Sequence, residues 1–203
     1  MWVKVCGLSE VSSVAAAVEA GVDAIGFVFA PGSPRTVDPR LVASLVADVP
    51  DSVLTVGVFR RQSVEEVSRL AGEAGVQAVQ LHGDEPAEMF HELQAMGWRT
   101  LRATSAVRYA SENVAQRAAF DEELLLLDAP DPGAGETFDT IALVANPPTR
   151  EWILAGGLTP QNVQGLVAEL SPWGVDVSSG VESSRGVKSP ELIRAFVAAA
   201  RAV

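Results

Sequence analysis

Short apolar runs alternate with amphipathic segments along the whole chain, and this alternation restricts the fold more than any other feature of the sequence. The runs have the length and composition of buried strands. They lie at residues 2–6, 24–29, 53–59, 76–81, 98–103, 123–128, 152–156 and 175–178. Helical periodicity follows at residues 11–21, 39–49, 64–75, 86–97, 160–170 and 190–203. Repeated strand–helix units of this kind build a parallel sheet.

Residues at the predicted boundaries support this interpretation. Ser63, Thr159 and Ser189 stand where a helix N-cap belongs, and Pro160 and Pro190 follow at the first helical position. Glycine stands where three helices should end, at positions 21, 75 and 97.

The number and size of the units predict the fold class. Eight strand–helix units of about 25 residues fit a single-domain (β/α)8 TIM barrel with a parallel eight-stranded core, spanning residues 1–203. A doubly wound open sheet is the alternative, but it more often has a glycine-rich turn after its first strand and fewer repeats. No Ser/Gly-rich spacer or charge block divides the chain.

Composition limits the partners. The formal net charge of −11 repels a polyanion, so no nucleic acid is expected, whereas a small anion could still bind local donors in a cleft. No apolar run approaches the ~18 residues that span a bilayer, and no signal-peptide pattern opens the chain. A single cysteine cannot form an internal disulfide. We therefore expect a cytoplasmic protein without a membrane partner. The oligomeric state is open, and a monomer is compatible with the sequence.

Polar residues follow several of the predicted strands at the end where a barrel carries its active site. Cys6 ends strand 1, Arg35 follows strand 2, His82 follows strand 4, Arg102 lies near the end of strand 5, and Asp128 ends strand 6. We expect all five to face one rim.

Cys6 and Asp128 are the candidates for proton transfer. Strand alternation places Trp2, Lys4 and Cys6 on one face, so a Lys4 buried inside the barrel needs a carboxylate partner and should favour the Cys6 thiolate. Asp128 closes the apolar run LLLLD, where desolvation should raise the pKa of its carboxyl group and suit it to donate a proton. Taken alone, Cys6 could equally be a buried hydrophobe and Asp128 a capping residue.

The loops after strands 7 and 8 resemble phosphate sites. Backbone N–H groups in glycine-rich turns bind phosphate, and barrels commonly keep that site in these two loops. The candidates are Gly156, Gly157, Ser178, Ser179 and Gly180.

Two further side chains are candidates for substrate contacts. Arg35 follows FAPGSPR, where Pro31 and Pro34 stiffen the loop, and its guanidinium could pair with a carboxylate. His82, in QLHGDE, is either a substrate contact or a hydrogen-bonded loop residue.

Several segments together resemble one family, the phosphoribosylanthranilate isomerases of tryptophan biosynthesis. They occur in the family's order from residue 4 to the final helix. They are KVCGLS, DAIGFVFAPGSPR, VGVF, VQLHGDE, LLLDA, LAGGLTPQNV and GVDVSSGVE.

The resemblance implies an Amadori rearrangement of N-(5-phosphoribosyl)anthranilate to the 1-deoxyribulose 5-phosphate, without a cofactor or a metal. By the same resemblance Cys6 is the general base, Asp128 the general acid and Arg35 the contact to the anthranilate carboxylate. The phosphate would lie in the loops after strands 7 and 8, with Asp176 and His82 also binding the phosphorylated aminosugar.

The chain departs from the family pattern in two places. Pro132, Ala134 and Thr140 replace a glycine, a threonine and a tryptophan after strand 6, and Arg185 and Ser189 replace a proline and an aspartate near the end. A changed loop after strand 6 could alter turnover or substrate tolerance.

Two other functions are compatible with such a barrel. A broader aminoaldose isomerase that also serves histidine biosynthesis would be expected to use two carboxylates, which Cys6 argues against. A non-catalytic phospho-ligand or redox-sensing barrel could use Cys6 as an oxidisable switch, but the chain has no second cysteine to resolve it.

Overall fold

The protein, described here from a computed structural model that covers residues 1–128, 143 and 147–203, contains a closed barrel of eight parallel strands in sequence order. β1 pairs with both β2 and β8, which closes the barrel and confirms the predicted fold class. The strands are β1 (Trp2–Cys6), β2 (Ala24–Val28), β3 (Leu54–Phe59), β4 (Ala78–Leu81), β5 (Arg99–Ser105), β6 (Leu124–Asp128), β7 (Trp152–Leu154) and β8 (Gly174–Val177).

Helices follow the strands and cover the outside of the barrel. They are α1 (Val11–Glu19), α2 (Pro39–Val46), α3 (Val64–Ala74), α4 (Ala87–Ala95), α5 (Ala106–Ser111), α6 (Val114–Ala118), α7 (Val163–Leu170) and α8 (Pro190–Arg201). A hairpin of β9 (Glu182–Ser184) and β10 (Val187–Lys188) lies between β8 and α8. No helix among these is long and apolar enough to cross a bilayer. The departures at Pro132, Ala134 and Thr140 lie outside the described residues.

Most predicted helix boundaries are confirmed. The Ser63 hydroxyl accepts a hydrogen bond from the Glu66 N–H at 3.3 Å, and the Ser189 hydroxyl accepts one from the Leu192 N–H at 3.3 Å. Pro190 opens α8, and Gly75 ends α3 in the left-handed conformation that glycine adopts without strain.

The predicted start of α7 is wrong. Thr159 and Pro160 belong to a turn that precedes the helix, which begins at Val163. The Asn162 side chain accepts the Thr159 N–H at 2.7 Å, and the Thr159 hydroxyl accepts the Asn162 N–H at 3.3 Å. These side-chain bonds replace the first turn of helix, as polar residues commonly do at such positions.

Two strands are shorter than predicted by two residues. β4 begins at Ala78 although Val76 is buried, and β7 ends at Leu154 because Gly156 has a φ of +88°, which turns the chain away from the sheet. Burial therefore extends beyond the residues that pair in the barrel.

The barrel interior is packed with side chains from alternate strand positions. Leu54, Leu101 and Leu124 fill its N-terminal half together with Trp2, whose ring stacks on Trp173 at 5.4 Å between centroids. Lys4 and Cys6 share the inward face with Trp2, as predicted, and therefore continue the interior toward the opposite end. Polar groups gather at that C-terminal end.

Candidate active site

Cys6 lies at the C-terminal mouth of the barrel, at the end of β1. It is 6% exposed, and it packs in a small cluster with Val28 and Val58. Gly26 on β2 makes room for it, because a Cβ at Gly26 would lie 2.8 Å from the Cys6 Sγ. The sulfur is thus held in a close-fitting position at the edge of the interior.

A buried ion pair lies one layer below the thiol. Lys4 Nζ is 3.0 Å from the Asp176 Oδ1, and the Lys4 side chain has no exposed surface. This confirms that Lys4 is buried and has a carboxylate partner. Burial alone would lower the pKa of Lys4, but the Asp176 carboxylate and the nearby Cys6 outweigh it and raise that pKa. Lys4 therefore stays protonated and forms an ion pair with Asp176.

Burial and the nearby cations act in opposite directions on the pKa of the Cys6 thiol. Burial has the largest effect and raises the pKa of the thiol, and the negative charge of Asp176 raises it further. The cations Lys4 and Lys188 lower this pKa, as expected, but by less. The net effect raises the pKa of Cys6 above its ordinary value. Without a ligand the group is a thiol at neutral pH, because desolvation costs the thiolate more than two cations return.

Asp128 ends β6 on the inward face of the same mouth. Its Oδ2 lies 3.2 Å from the His82 Nε2, and its side chain is 9% exposed. Its other oxygen, Oδ1, is buried and has no hydrogen-bond partner among the described residues. A buried carboxyl oxygen without a partner is costly, so this atom is available to a ligand. The partner of His82 in the structure is this carboxyl group.

Arg35 is held by a glutamate. Its Nε lies 2.6 Å from the Glu182 Oε1, and its Nη2 lies 3.0 Å from the Oε2. Glu182 also accepts a hydrogen bond from Lys188 Nζ at 2.9 Å. Burial alone would raise the pKa of Glu182, but hydrogen bonds from Arg35, the Gly186 N–H and Lys188 lower it to about 2. Glu182 is therefore ionised at neutral pH.

The two phosphate-type loops pack directly against each other. A Cβ at Gly180 would lie 1.8 Å from the Leu158 carbonyl oxygen, so only glycine permits this approach. Gly156 and Gly157 both have positive φ angles, and their backbone N–H groups have no acceptor among the described residues. Ser178 and Ser179 lie in the adjoining loop, where Ser178 accepts from Lys188. The loops thus offer unpaired donors.

Arg102 does not face the mouth, and its predicted position there is wrong. It occupies an outward position of β5, where its Nη2 pairs with Glu112 and its guanidinium lies 3.5 Å above the Phe120 ring. Strand alternation explains the difference, because the neighbouring Leu101 and Ala103 point into the barrel and Arg102 must point out.

Sequence reasoning missed Glu182 and Lys188 as site residues. Both side chains are almost fully buried; Glu182 is the last residue of the motif GVDVSSGVE, and Lys188 follows it six residues later. The strands of their hairpin are three and two residues long, too short for alternation to reveal which side chains turn inward. The available signal was an acidic and a basic residue six positions apart, directly after the predicted phosphate-type loop.

Among residues 1–128, 143 and 147–203 there is no group of three or more His, Cys, Asp or Glu side chains arranged to hold a metal ion. The arrangement instead offers a thiol, a carboxyl group and two sets of anion-binding donors around the C-terminal mouth of the barrel.

Comparison with known proteins decides the family. The family model described as N-(5′-phosphoribosyl)anthranilate (PRA) isomerase matches residues 3–199. The chain belongs to this family. The curated N-(5′-phosphoribosyl)anthranilate isomerase of Deinococcus radiodurans is 42% identical over 201 residues, covering 98% of this chain and 96% of the relative. That of Symbiobacterium thermophilum is 41% identical, covering 100% and 99%.

Solved structures agree. TrpF from Jonesia denitrificans superposes with a TM-score of 0.89 at 48% identity, covering 100% of this chain and 98% of that chain. A phosphoribosyl anthranilate isomerase crystallised in complex with reduced 1-(o-carboxyphenylamino)-1-deoxyribulose 5-phosphate gives a TM-score of 0.83 at 33% identity, with full coverage of both chains. The predicted family and function, an aldose–ketose isomerase of tryptophan biosynthesis, are confirmed.

Proposed function

We propose that this chain rearranges N-(5-phosphoribosyl)anthranilate with Asp128 as general acid and Cys6 as general base. The observation that carries the assignment is their common position: both end strands of the same barrel mouth on the inward face, and the buried Asp128 Oδ1 has no partner among the described residues. An acid and a base on different strands can act on opposite sides of one sugar carbon.

The acid step opens the ribose ring. Protonated Asp128 donates its proton to the ring oxygen, the C1–O bond breaks, and the nitrogen lone pair forms an iminium at C1. His82, 3.2 Å from the other carboxyl oxygen, keeps Asp128 oriented. The Oδ1, which has no hydrogen-bond partner in the part of the chain that the structure describes, is the atom that meets the substrate.

The base step follows from the charge created by the first. The iminium is a cation near Cys6, and with Lys4 and Lys188 it offsets the burial that keeps the free sulfur protonated. The Cys6 thiol releases its proton to solvent, and the thiolate then removes the C2 proton, whose bonding electrons form the C1=C2 bond of an enolamine. That C2 proton moves from Cys6 to C1, and the C2 hydroxyl proton returns to Asp128. The Cys6 thiolate takes a proton back from solvent when the product leaves, so the cycle closes without net gain or loss of protons.

The two anionic ends of the substrate hold C2 in place. Arg35 binds the anthranilate carboxylate through guanidinium N–H groups that Glu182 does not use, and Gly156, Gly157, Ser178, Ser179 and Gly180 bind the phosphate. Lys4 fixes Asp176, which borders the substrate from β8. Binding energy at these distant ends is available to orient the reacting carbon.

The proposal includes the whole chain, residues 1–203, as one catalytic domain that works in the cytoplasm without a cofactor or a nucleic acid. The single cysteine and the net charge of −11 support the location and the absence of a polyanionic partner.

The test is turnover of substrate generated in situ, followed by the loss of its fluorescence. Cys6→Ser and Asp128→Asn should each lower kcat at least ~100-fold with a modest change in KM, because each removes a proton-transfer group and leaves the anion contacts. Asp51→Asn, a change at an exposed carboxylate, is the matched control and should be fully active. Full activity in either site variant would refute that residue's role.

A further inference from the structure

Glu182 is the centre of a charged cluster that joins loops at the mouth. Each of its oxygens accepts two hydrogen bonds, Oε1 from Arg35 Nε and Lys188 Nζ, and Oε2 from Arg35 Nη2 and the Gly186 N–H at 3.0 Å. The Glu182 side chain is only 5% exposed. Charge-assisted bonds made away from water fix the orientation of their donors.

Glu182 binds Arg35 through only two of the N–H groups of the guanidinium. A guanidinium has five N–H donors in a rigid plane. Glu182 takes the edge formed by Nε and Nη2, so both Nη1 donors and the second Nη2 donor remain on the end of the fork. That end can form a second bidentate pair with a carboxylate in the same plane. Glu182 therefore sets the plane in which Arg35 meets a ligand.

Lys188 connects the same glutamate to the phosphate-type loop. Its Nζ donates to the Ser178 carbonyl oxygen at 2.8 Å and lies 3.2 Å from the Ser178 hydroxyl oxygen, in addition to its bond with Glu182. The Lys188 side chain is 1% exposed. All three ammonium donors thus have acceptors within the cluster, and none is left for a ligand.

The loop that follows the catalytic strand β1 packs onto the cluster without a gap. Gly7 has a φ of +77°, and a Cβ there would lie 2.8 Å from the Arg35 Cδ, 3.2 Å from the Ser178 Oγ and 3.4 Å from the Lys188 Nζ. Gly7 directly follows Cys6 in the chain. The cluster therefore contacts the loops after β1, β2 and β8 at once.

We propose that Glu182 is a positioning residue that aims Arg35 at the substrate carboxylate, while Lys188, the other member of the cluster, holds Ser178 in the phosphate loop. The inference rests on the proposed function. It assigns the two arms of the cluster to the two ends of the substrate, with Arg35 serving the carboxylate and Lys188 serving the phosphate loop.

Two inhibitors that each resemble one end of the substrate distinguish the roles of Arg35 and Lys188. Anthranilate represents the carboxylate end and inorganic phosphate the phosphate end. Each is measured as a competitive inhibitor of turnover. Glu182→Gln should weaken inhibition by anthranilate roughly tenfold and raise KM similarly, with kcat and phosphate inhibition changed less than about threefold. Lys188→Met should have the opposite effect, weakening inhibition by phosphate more than inhibition by anthranilate.

A double-mutant cycle tests the pathway through Arg35. Arg35→Lys removes the fork, so adding Glu182→Gln to it should change KM by less than about twofold. Glu73→Gln is the matched control, because Glu73 also accepts from two arginines, Arg40 and Arg69, but on α3 away from the mouth. It should leave KM and both inhibition constants unchanged.

Several results would overturn the inference. Equal weakening of both probes by Glu182→Gln, or unchanged KM and inhibition, would reduce Glu182 to a structural ion pair. If Glu182→Gln does not fold, Glu182→Asp replaces it in the test. Aspartate keeps the charge but is too short to reach both Arg35 nitrogens. This variant should also weaken inhibition by anthranilate more than inhibition by phosphate. A wild-type protein without turnover would instead refute the proposed function.

Discussion

The two halves of the barrel interior differ in what they contain. The N-terminal half is filled by Leu54, Leu101 and Leu124, closed by the stacked Trp2 and Trp173. The C-terminal half holds Cys6, Asp128 and the Lys4–Asp176 pair, together with buried polar atoms that have no hydrogen-bond partner among residues 1–128, 143 and 147–203. The N-terminal half therefore stabilises the barrel by burying apolar surface. Burial of the polar and ionisable groups in the C-terminal half instead destabilises the folded state.

The contrast shows how a barrel of this size can keep a charged site. Lys4 and Asp176 lie at the boundary between the halves, where each compensates the buried charge of the other. Above them, burial raises the pKa of the Cys6 thiol even though Lys4 and Lys188 act to lower it. The apolar half holds the strands in place, whereas the polar half contains buried atoms that lack hydrogen-bond partners among the described residues.

The largest expected effect comes from breaking that boundary. Lys4→Met should lower the free energy of unfolding by roughly 3–5 kcal/mol, because it leaves the Asp176 carboxylate buried without its cation. Urea denaturation at neutral pH measures it. Adding Asp176→Leu should recover at least half of the loss, since an apolar pair needs no compensation. A loss below ~1 kcal/mol in the single variant would mean that solvent reaches the pair.

A smaller effect is expected in the apolar half. Leu101→Ala should cost about 3 kcal/mol of stability through lost burial and the cavity left behind, with kcat unchanged within about twofold. Val107→Ala, at an exposed position of α5, is the control and should change stability by less than ~0.5 kcal/mol. A large drop in kcat in the folded Leu101→Ala protein would contradict the division of the interior into two halves.

The smallest effect concerns the polar half alone. Since burial raises the pKa of Cys6, the thiolate should form at higher pH than in a free cysteine. The rate of alkylation by iodoacetamide, followed by mass spectrometry across pH 7–11, should rise with a midpoint above the usual thiol value of about 8.5. A midpoint at or below that value would show that Lys4 and Lys188 outweigh desolvation.

The sequence was sufficient for the barrel and for the residues that end its strands. Alternation predicted that Trp2, Lys4 and Cys6 share a face and that Lys4 needs a carboxylate, because both follow from strand geometry and the cost of a buried charge. It could not identify Asp176 as that carboxylate, since the partner lies 172 residues away in the chain. The start of α7 was missed because Asn162 and Thr159 form a local turn that competes with the helix.

What the sequence by itself determined is the periodic part of the molecule: eight strands, their inward faces, and the residues at their ends. Only the tertiary structure decided how those residues act on one another. It turned Arg102 away from the mouth, placed Glu182 between Arg35 and Lys188, and buried Cys6 deeply enough that desolvation outweighs two cations. The reason is physical: periodicity is a local property of the chain, whereas burial and charge pairing depend on segments that meet only when the barrel closes.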